Sequence, residues 1–411
     1  MYERLIANAE SGLAERYAEA DAVSEVNQLK VLNAMRANRL SETHFGGTNG
    51  YGYNDAGRGV LERVYADVFR AEAALVRPQL VSGTHALAAA LFGNLRHGDE
   101  LLSPAGKPYD TLESVIGIRE AAGSLAEHGV AYRQAELGLN GGFDFGAVAD
   151  ALSPKTKMVT IQRSKGYAWR RSFTVSEIND LILFIREKKR GVIIMVDNCY
   201  GEFVEREEPA GADLIVGSLI KNPGGGLAPG GGYVAGRAEF VEAAAARLFA
   251  PGLCGEIGPS FGFTRLFAQG LFTAPQTVAN CVKGALLASA VFEELGFPVL
   301  PKPYEARTDI VQAVELGTPE GVCAFCGGIQ ACSPVDSFVK PEPAPMPGYD
   351  AKVVMAGGTF VQGSSIELSA DAPLRPPYAV YMQGGLTYAH AKLGLAAALE
   401  GLFKAGLIDA R

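Results

Sequence analysis

Apolar runs of strand length alternate with helical patterns through the middle of this chain, and that alternation restricts the possible folds more than any other feature. The runs fall at Ala74–Arg77, Glu100–Ser103, Ala131–Ala135, Met158–Ile161, Val192–Val196, Leu214–Gly217 and Gly232–Ala235. Helical patterns occupy Thr84–Leu95, Asp110–Glu120, Phe145–Leu152 and Val175–Lys189 between them. Parallel strands need crossovers long enough to hold a helix, and those helices then cover both faces of the sheet. The expectation is therefore an α/β fold with a large, mostly parallel sheet. Ligands in such sheets gather at the C-terminal ends of the strands, so the chemistry is sought there.

The flanking segments suggest further units. Residues 1–40 read as helix, and Ser41–Arg58 is a Gly/Asn/Asp-rich loop carrying His44, Tyr51 and Tyr53. Helical periodicity returns at Val60–Phe69, and Ala274–Leu295 forms one long helical pattern. Beyond it, Pro298–Pro303 and Lys340–Gly348 frame short strands at Asp309–Glu315 and Lys352–Met355, before a last helix at Thr387–Ala405. The expected division is an N-terminal helical arm over 1–50, a large domain over 51–285 and a smaller α+β domain over 286–411.

Composition excludes several functions. The formal charge of -8 offers no basic field for nucleic acid, and Lys188-Lys189-Arg190 reads as a solvated helix end. The charged start MYERLIANAE is no signal peptide, and no run of about 18 apolar residues suggests a membrane span. Six scattered cysteines fit reduced thiols in a cytoplasm. Cys323, Cys326 and Cys332 lack a fourth zinc ligand, since His390 lies 58 residues beyond Cys332, so no metal is expected. Neither a dinucleotide nor a P-loop glycine motif is present.

The polar residues at the strand ends form a chemical pattern. Asp197-Asn198 follows Val192–Val196, and an acid there suits a cation, including a protonated ring nitrogen. Lys221 lies between the end of Leu214–Gly217 and the Gly224-Gly225-Gly226 cluster, where burial would favour a neutral, nucleophilic amine. Ser82-Gly83-Thr84-His85 opens a helix whose free N–H groups suit a phosphate. Ser218 adds a hydroxyl, and Tyr109 follows another strand end as a flat aromatic face. An amine for an aldehyde, a carboxylate for a ring nitrogen and donors for a phosphate are what pyridoxal 5'-phosphate requires. His44 and His85 are candidates to assist proton transfer, while Cys199 reads as a packed thiol.

Longer matches carry a resemblance to a family. They run through Gly50-Tyr51-Gly52-Tyr53-Asn54-Asp55, Arg77-Pro78-Gln79-Leu80-Val81-Ser82-Gly83-Thr84-His85-Ala86 and Val196-Asp197-Asn198-Cys199-Tyr200-Gly201-Glu202-Phe203. They continue in Gly217-Ser218-Leu219-Ile220-Lys221-Asn222-Pro223 and Gly363-Ser364-Ser365-Ile366-Glu367-Leu368-Ser369-Ala370-Asp371. Over its whole length the chain resembles the pyridoxal-phosphate-dependent methionine γ-lyase-like or "aluminium resistance" proteins, relatives of the cystathionine lyases. The resemblance implies the fold type I architecture of the aspartate aminotransferases, with a homodimer as active unit and often a tetramer. It also implies Lys221 as the Schiff-base lysine, Asp197 as partner of the ring nitrogen, Tyr109 as the stacking tyrosine, and Ser82, Gly83, Thr84 and Ser218 as phosphate ligands.

Tyr51 and Tyr53 fall where the wider family sends a Tyr and an Arg to the neighbouring subunit's phosphate, so one cationic contact is lost here. Glu367 stands near the place of the Arg that holds the substrate carboxylate in cystathionine lyases. Arg375 is the replacement candidate, because its fork suits a carboxylate. Gln162 and Arg163, at the end of Met158–Ile161, are further candidates for contact with the cofactor's ring oxygen or an amino-acid substrate. The implied activity is β- or γ-elimination from an amino acid, releasing a thiolate or another good leaving group such as halide. Other chemistry on the same fold (aminotransferase, racemase or aldolase) and a non-catalytic binding protein are the alternatives. Retention of both Lys221 and Asp197 argues for an enzyme.

Overall fold

The computed structural model describes residues 2–409. The N-terminal helical stretch is two helices, α1 (Glu3–Gly12) and α2 (Ala14–Ala37), broken at Leu13. After the glycine-rich loop, Asp55 caps α3 (Ala56–Phe69) by accepting the Arg58 N–H. The alternating region then runs β1 (Ala73–Arg77), α4 (Gly83–Asn94), β2 (Glu100–Ser103), α5 (Asp110–Ile116) and β3 (Ala131–Gln134). It continues with α6 (Phe145–Ala151), β4 (Thr156–Gln162), α7 (Val175–Lys188), β5 (Ile193–Asp197), β6 (Leu214–Ser218) and β7 (Gly232–Gly236).

These strands form one sheet in the order β1-β7-β6-β5-β4-β2-β3. Every pairing from β6 to β3 is parallel, whereas β7 runs antiparallel to both β6 and β1. The segment joining β6 to β7 contains no crossover helix of useful length, so the chain returns in the opposite direction. Strands β5, β6 and β7 are buried throughout. Their side chains divide by the period of two: Ile193 and Met195 pack with α4 and α5, while Ile194 and Val196 pack with α7.

Two helices follow, α8 (Ala238–Leu248) and the 31-residue α9 (Thr264–Glu294). The expected start of α9 at Ala274 is ten residues late, because the helix continues through Pro275. Packing overrides the helix-breaking preference of proline here. Gly270 of α9 lies so close to the turn after Lys221 that a Cβ would sit 2.3 Å from the Gly224 carbonyl oxygen.

The remaining chain forms β8 (Val299–Leu300), β9 (Val311–Glu315), α10 (Pro319–Ala331), β10 (Val353–Ala356), β11 (Ser369–Pro373), β12 (Ala379–Gln383) and α11 (Tyr388–Lys404). The strands make an antiparallel sheet in the order β10-β11-β12-β9-β8. Cys323 and Cys326 lie one turn apart on α10, and all six cysteines are free thiols. A buried ion pair joins the two sheets: Lys165, after β4, lies 3.2 Å from Asp309, which also accepts a hydrogen bond from Ser164. Tyr381 on β12 donates to the Tyr167 carbonyl at 2.8 Å. Among the described residues no helix is long and apolar enough to cross a membrane.

Candidate active site

The C-terminal ends of β4, β5 and β6 and the N-terminus of α4 open into one cavity of about 240 Å³. Ser82, Gly83, Thr84, Tyr109, Gln162, Asp197, Ser218 and Lys221 all line it. Parallel pairing accounts for this convergence. Gln162 is level with Asp197, and Asp197 is level with Val216, so β4 and β5 end at one level while β6 runs on to Ser218, and their polar residues emerge beside one another.

Each element has a local cause. Ser82 caps α4 by accepting the His85 N–H, which leaves the Gly83 and Thr84 amides in the first turn, where N–H groups have no helical acceptor. At Gly83 the approach is close: a Cβ there would lie 3.2 Å from the Ser218 Cβ and 3.3 Å from the Cys199 Sγ. The Thr84 hydroxyl lies 3.0 Å from the Tyr109 hydroxyl and 3.1 Å from that of Thr111. Gln162 accepts the Tyr109 N–H at 2.8 Å, fixing the backbone of that tyrosine.

The electrostatics centre on Asp197 and Lys221. Burial pushes the Asp197 carboxyl up, against the opposing pull of Lys221 and of the Cys199 N–H that it accepts at 3.1 Å. Burial pulls the Lys221 ammonium down, toward the expected free amine, while its neighbours, Asp197 among them, pull the other way and carry it above the usual lysine value. Its Nζ also lies 3.8 Å from the centre of the Tyr200 ring, a favourable place for a cation.

Among the expected contributors, Arg163, His85 and His44 are placed elsewhere. Arg163 does not line the cavity; it is fully buried on the far side of the β4 end, bonded to Asn198 at 2.7 Å and Glu205 at 2.7 Å, with Glu208 at 3.4 Å. Strand alternation explains the correction: Gln162 faces the cavity, so its successor faces away. His85 accepts the Val81 N–H at 3.3 Å and His44 accepts the Ser41 N–H at 3.0 Å, so both serve turns outside the cavity wall. Tyr51 and Tyr53 are 68% and 53% exposed, stacked on each other at 5.5 Å, and outside their own chain's cavity.

Arg375 stands just behind the wall, with Nη1 3.3 Å from Asp110 Oδ1. Glu367 accepts the Phe360 and Val361 N–H groups at 2.9 and 3.0 Å and so anchors a loop.

The structure adds residues that sequence reading did not assign to the cavity: Asp110, Tyr167, Tyr200 and Tyr349. Tyr349 arrives on the proline-rich segment 341–350, which Arg119 ties down through the Gly348 carbonyl at 2.6 Å and Asp350 at 3.0 Å. Its ring then packs against Tyr167 at 5.5 Å. Asp110 directly follows Tyr109 and was within reach of sequence analysis. No local signal marks Tyr349.

Comparison with known proteins agrees with this geometry. A family model described as methionine gamma-lyase matches residues 2–403. The protein YnbB of Bacillus subtilis strain 168 is 51% identical over 403 residues, spanning 97% of this chain and 96% of its own. A carbon–sulfur lyase involved in aluminium resistance from Clostridium novyi NT is 48% identical, with a TM-score of 0.92 over 96% of this chain and 94% of that one. The pyridoxal-5'-phosphate-dependent protein YhfS of Escherichia coli shares the fold, at 17% identity and a TM-score of 0.63 over 94% of this chain and 97% of its own. The expected fold type I architecture is borne out.

Glu202, directly behind the site, provides a test of these electrostatics. It is fully buried, with Oε1 accepting the Tyr233 hydroxyl at 2.7 Å and Oε2 without a partner. Burial, only partly offset by that hydrogen bond, pushes its pKa up to about 8. In the unfolded chain the value is about 4.3, so folding takes up a proton between the two values. Stability from this group is therefore present below about pH 4.3 and lost as pH rises to about 8. Glu202→Gln should become more stable than the parent across that window, by on the order of 3–5 kcal/mol at its upper end. Denaturant midpoints of both proteins at pH 5 and pH 8.5 check this; parallel pH curves would contradict it.

Proposed function

The chain belongs to the methionine gamma-lyase family, and we propose that it is a pyridoxal-phosphate-dependent lyase. It would eliminate a leaving group, thiolate above all, from the side chain of an amino acid. The observation that carries this reading is the meeting of Lys221, Asp197 and the α4 N-terminus in one cavity. The residues present fit the cofactor. The Gly83 and Thr84 amides and the Ser218 hydroxyl would hold its phosphate, Asp197 its ring nitrogen, Tyr109 its ring face and Lys221 its aldehyde. When bound, pyridoxal phosphate supplies the electron sink for breaking bonds at the amino-acid α-carbon.

The chain's own groups supply the proton transfers. Lys221 must be neutral to accept the Cα proton, and Asp197 is one of the neighbours that keep it charged. A positive charge held against Asp197 would weaken that support, and burial works in the same direction, toward the free amine. The Tyr109 phenol is held well above its usual value, by burial first and by Asp197 next, so it stays protonated. Lys221 or Tyr109 would protonate the departing thiolate. Arg375 would hold the substrate carboxylate, and Tyr349 with its tethered segment would limit water. Incubating the holoenzyme with S-alkylcysteines or methionine should release thiol, 2-oxo acid and ammonia in equal amounts. Lys221→Ala should lower the rate by about 10²–10⁴-fold. Amino transfer to a 2-oxo acid without thiol release would contradict the lyase reading.

We infer also that the active unit is a homodimer, assembling further to a tetramer, in a reducing cytoplasm suited to six free thiols. Exposed Tyr53 borders one depression with Phe261 (57% exposed), and Gln79, just before the phosphate turn, donates to the nearby Pro259 carbonyl at 2.8 Å. Tyr51 and Tyr53 would donate to the phosphate in a second copy, each bond contributing about 1.5–3 kcal/mol. A Tyr51→Phe/Tyr53→Phe variant should lose cofactor more readily, and mixing it with Lys221→Ala should restore part of the activity in hybrid dimers. Hybrids that form but stay inactive would contradict the shared site.

A further inference from the structure

Three charged residues line the cavity: Asp110, Asp197 and Lys221. The last two are committed to the cofactor, so Asp110 is the charge left to face a substrate. Its side chain is only 10% exposed and sits in the first turn of α5, directly after Tyr109. The neighbouring phenols feel its charge. Burial raises Tyr349, with Asp110 adding to the shift, and Asp110 likewise reinforces the burial that raises Tyr381.

The rest of this wall is aromatic and uncharged, formed by Tyr167, Tyr200 and Tyr349. The nearby ionic groups have other partners. Asp371 accepts from Gln383 at 2.9 Å, Lys107 lies 2.8 Å from Glu113, and Arg119 is held by Gly348 and Asp350. The partner of Asp110 is Arg375, which is 41% exposed and free to swing toward a carboxylate.

From this arrangement we infer that the cavity selects amino acids whose departing group is neutral or carries an ammonium, and rejects those whose departing group is anionic, with Asp110 as the specificity-determining residue. For turnover this rests on the lyase reading; for binding it does not. When Arg375 turns to the substrate's α-carboxylate, Asp110 loses its counter-charge while remaining largely desolvated. A carboxylate on the departing group would then meet a like charge in a medium that screens poorly, whereas an ammonium would replace the missing partner. A departing thiol without charge meets only aromatic faces, which sulfur contacts favourably.

The test uses three S-substituted cysteines of similar size with the holoenzyme: S-(2-aminoethyl)-, S-propyl- and S-(carboxymethyl)cysteine. Binding is read from the change in cofactor absorbance, and turnover from released thiol. The first two should bind about tenfold or more tightly than the third, equivalent to about 1.4 kcal/mol. In Asp110→Asn, which keeps the side-chain shape, that ratio should fall toward one. Equal affinities, a preference for the carboxymethyl compound, or an unchanged ratio in Asp110→Asn would overturn the inference. The order in the parent enzyme decides the matter even if the variant does not fold. Should the binding order hold with no thiol released, the lyase reading fails and the inference stands. Cleavage of all three with no order among them overturns the inference and leaves the lyase reading intact.

Discussion

Parallel pairing of β4, β5 and β6 with Gln162, Asp197 and Val216 at one level is the constraint on which the rest of this molecule depends. It ends β4 and β5 at one level, with β6 two residues longer, and delivers an amide, a carboxylate and, five residues beyond Val216, an amine into one space. The neighbouring turns are braced against movement. Arg163 grips Asn198 and Glu205 beneath the first turn, and Gly270 lets α9 lie directly on the Gly224 turn beneath Lys221. Removing one partner from such a buried ionic cluster strands the others without compensation, which typically costs about 3–5 kcal/mol. The far side of the sheet thus holds the geometry that the near side uses.

Charge is arranged along the same axis. The cavity contains two carboxylates and one amine besides its phenols, and burial works against the charges of Asp197 and Lys221 alike. Burial favours the free amine of Lys221, and Asp197 opposes it, so a cation held against Asp197 would shift the balance toward the free amine. The aromatic wall and the segment tied by Arg119 complete a setting in which screening by water is weak.

What could be read in the sequence follows from how local its cause is. Asp197, Lys221, Ser218 and the Ser82–Thr84 turn are set by strands and a helix cap adjacent to them in the chain, so pattern alone locates them. Arg163 was misplaced by a single residue of strand phase, which reverses the face on which a side chain lies. Tyr349 reaches the site through packing against Tyr167, far earlier in the chain, and no local pattern encodes that. The second sheet was only partly legible. Strand β11 carries Asp371 and ends in Pro373, and α10 holds Gly321, Gly327 and Gly328, residues that weaken the signals for strand and helix.

The central claim, that Lys221 is the amine that holds pyridoxal phosphate, is tested most directly by borohydride reduction of the holoenzyme followed by peptide mass analysis. Lys165 makes a demanding control, because it too is fully buried and its neighbours Ser164 and Gly166 line the same cavity. Its ammonium is committed to Asp309, whereas Lys221 rests on an aromatic face. The visible absorbance should vanish on reduction, and the added mass should lie on the peptide containing Lys221. Added mass on Lys165, or a holoenzyme whose absorbance survives borohydride, would contradict the account.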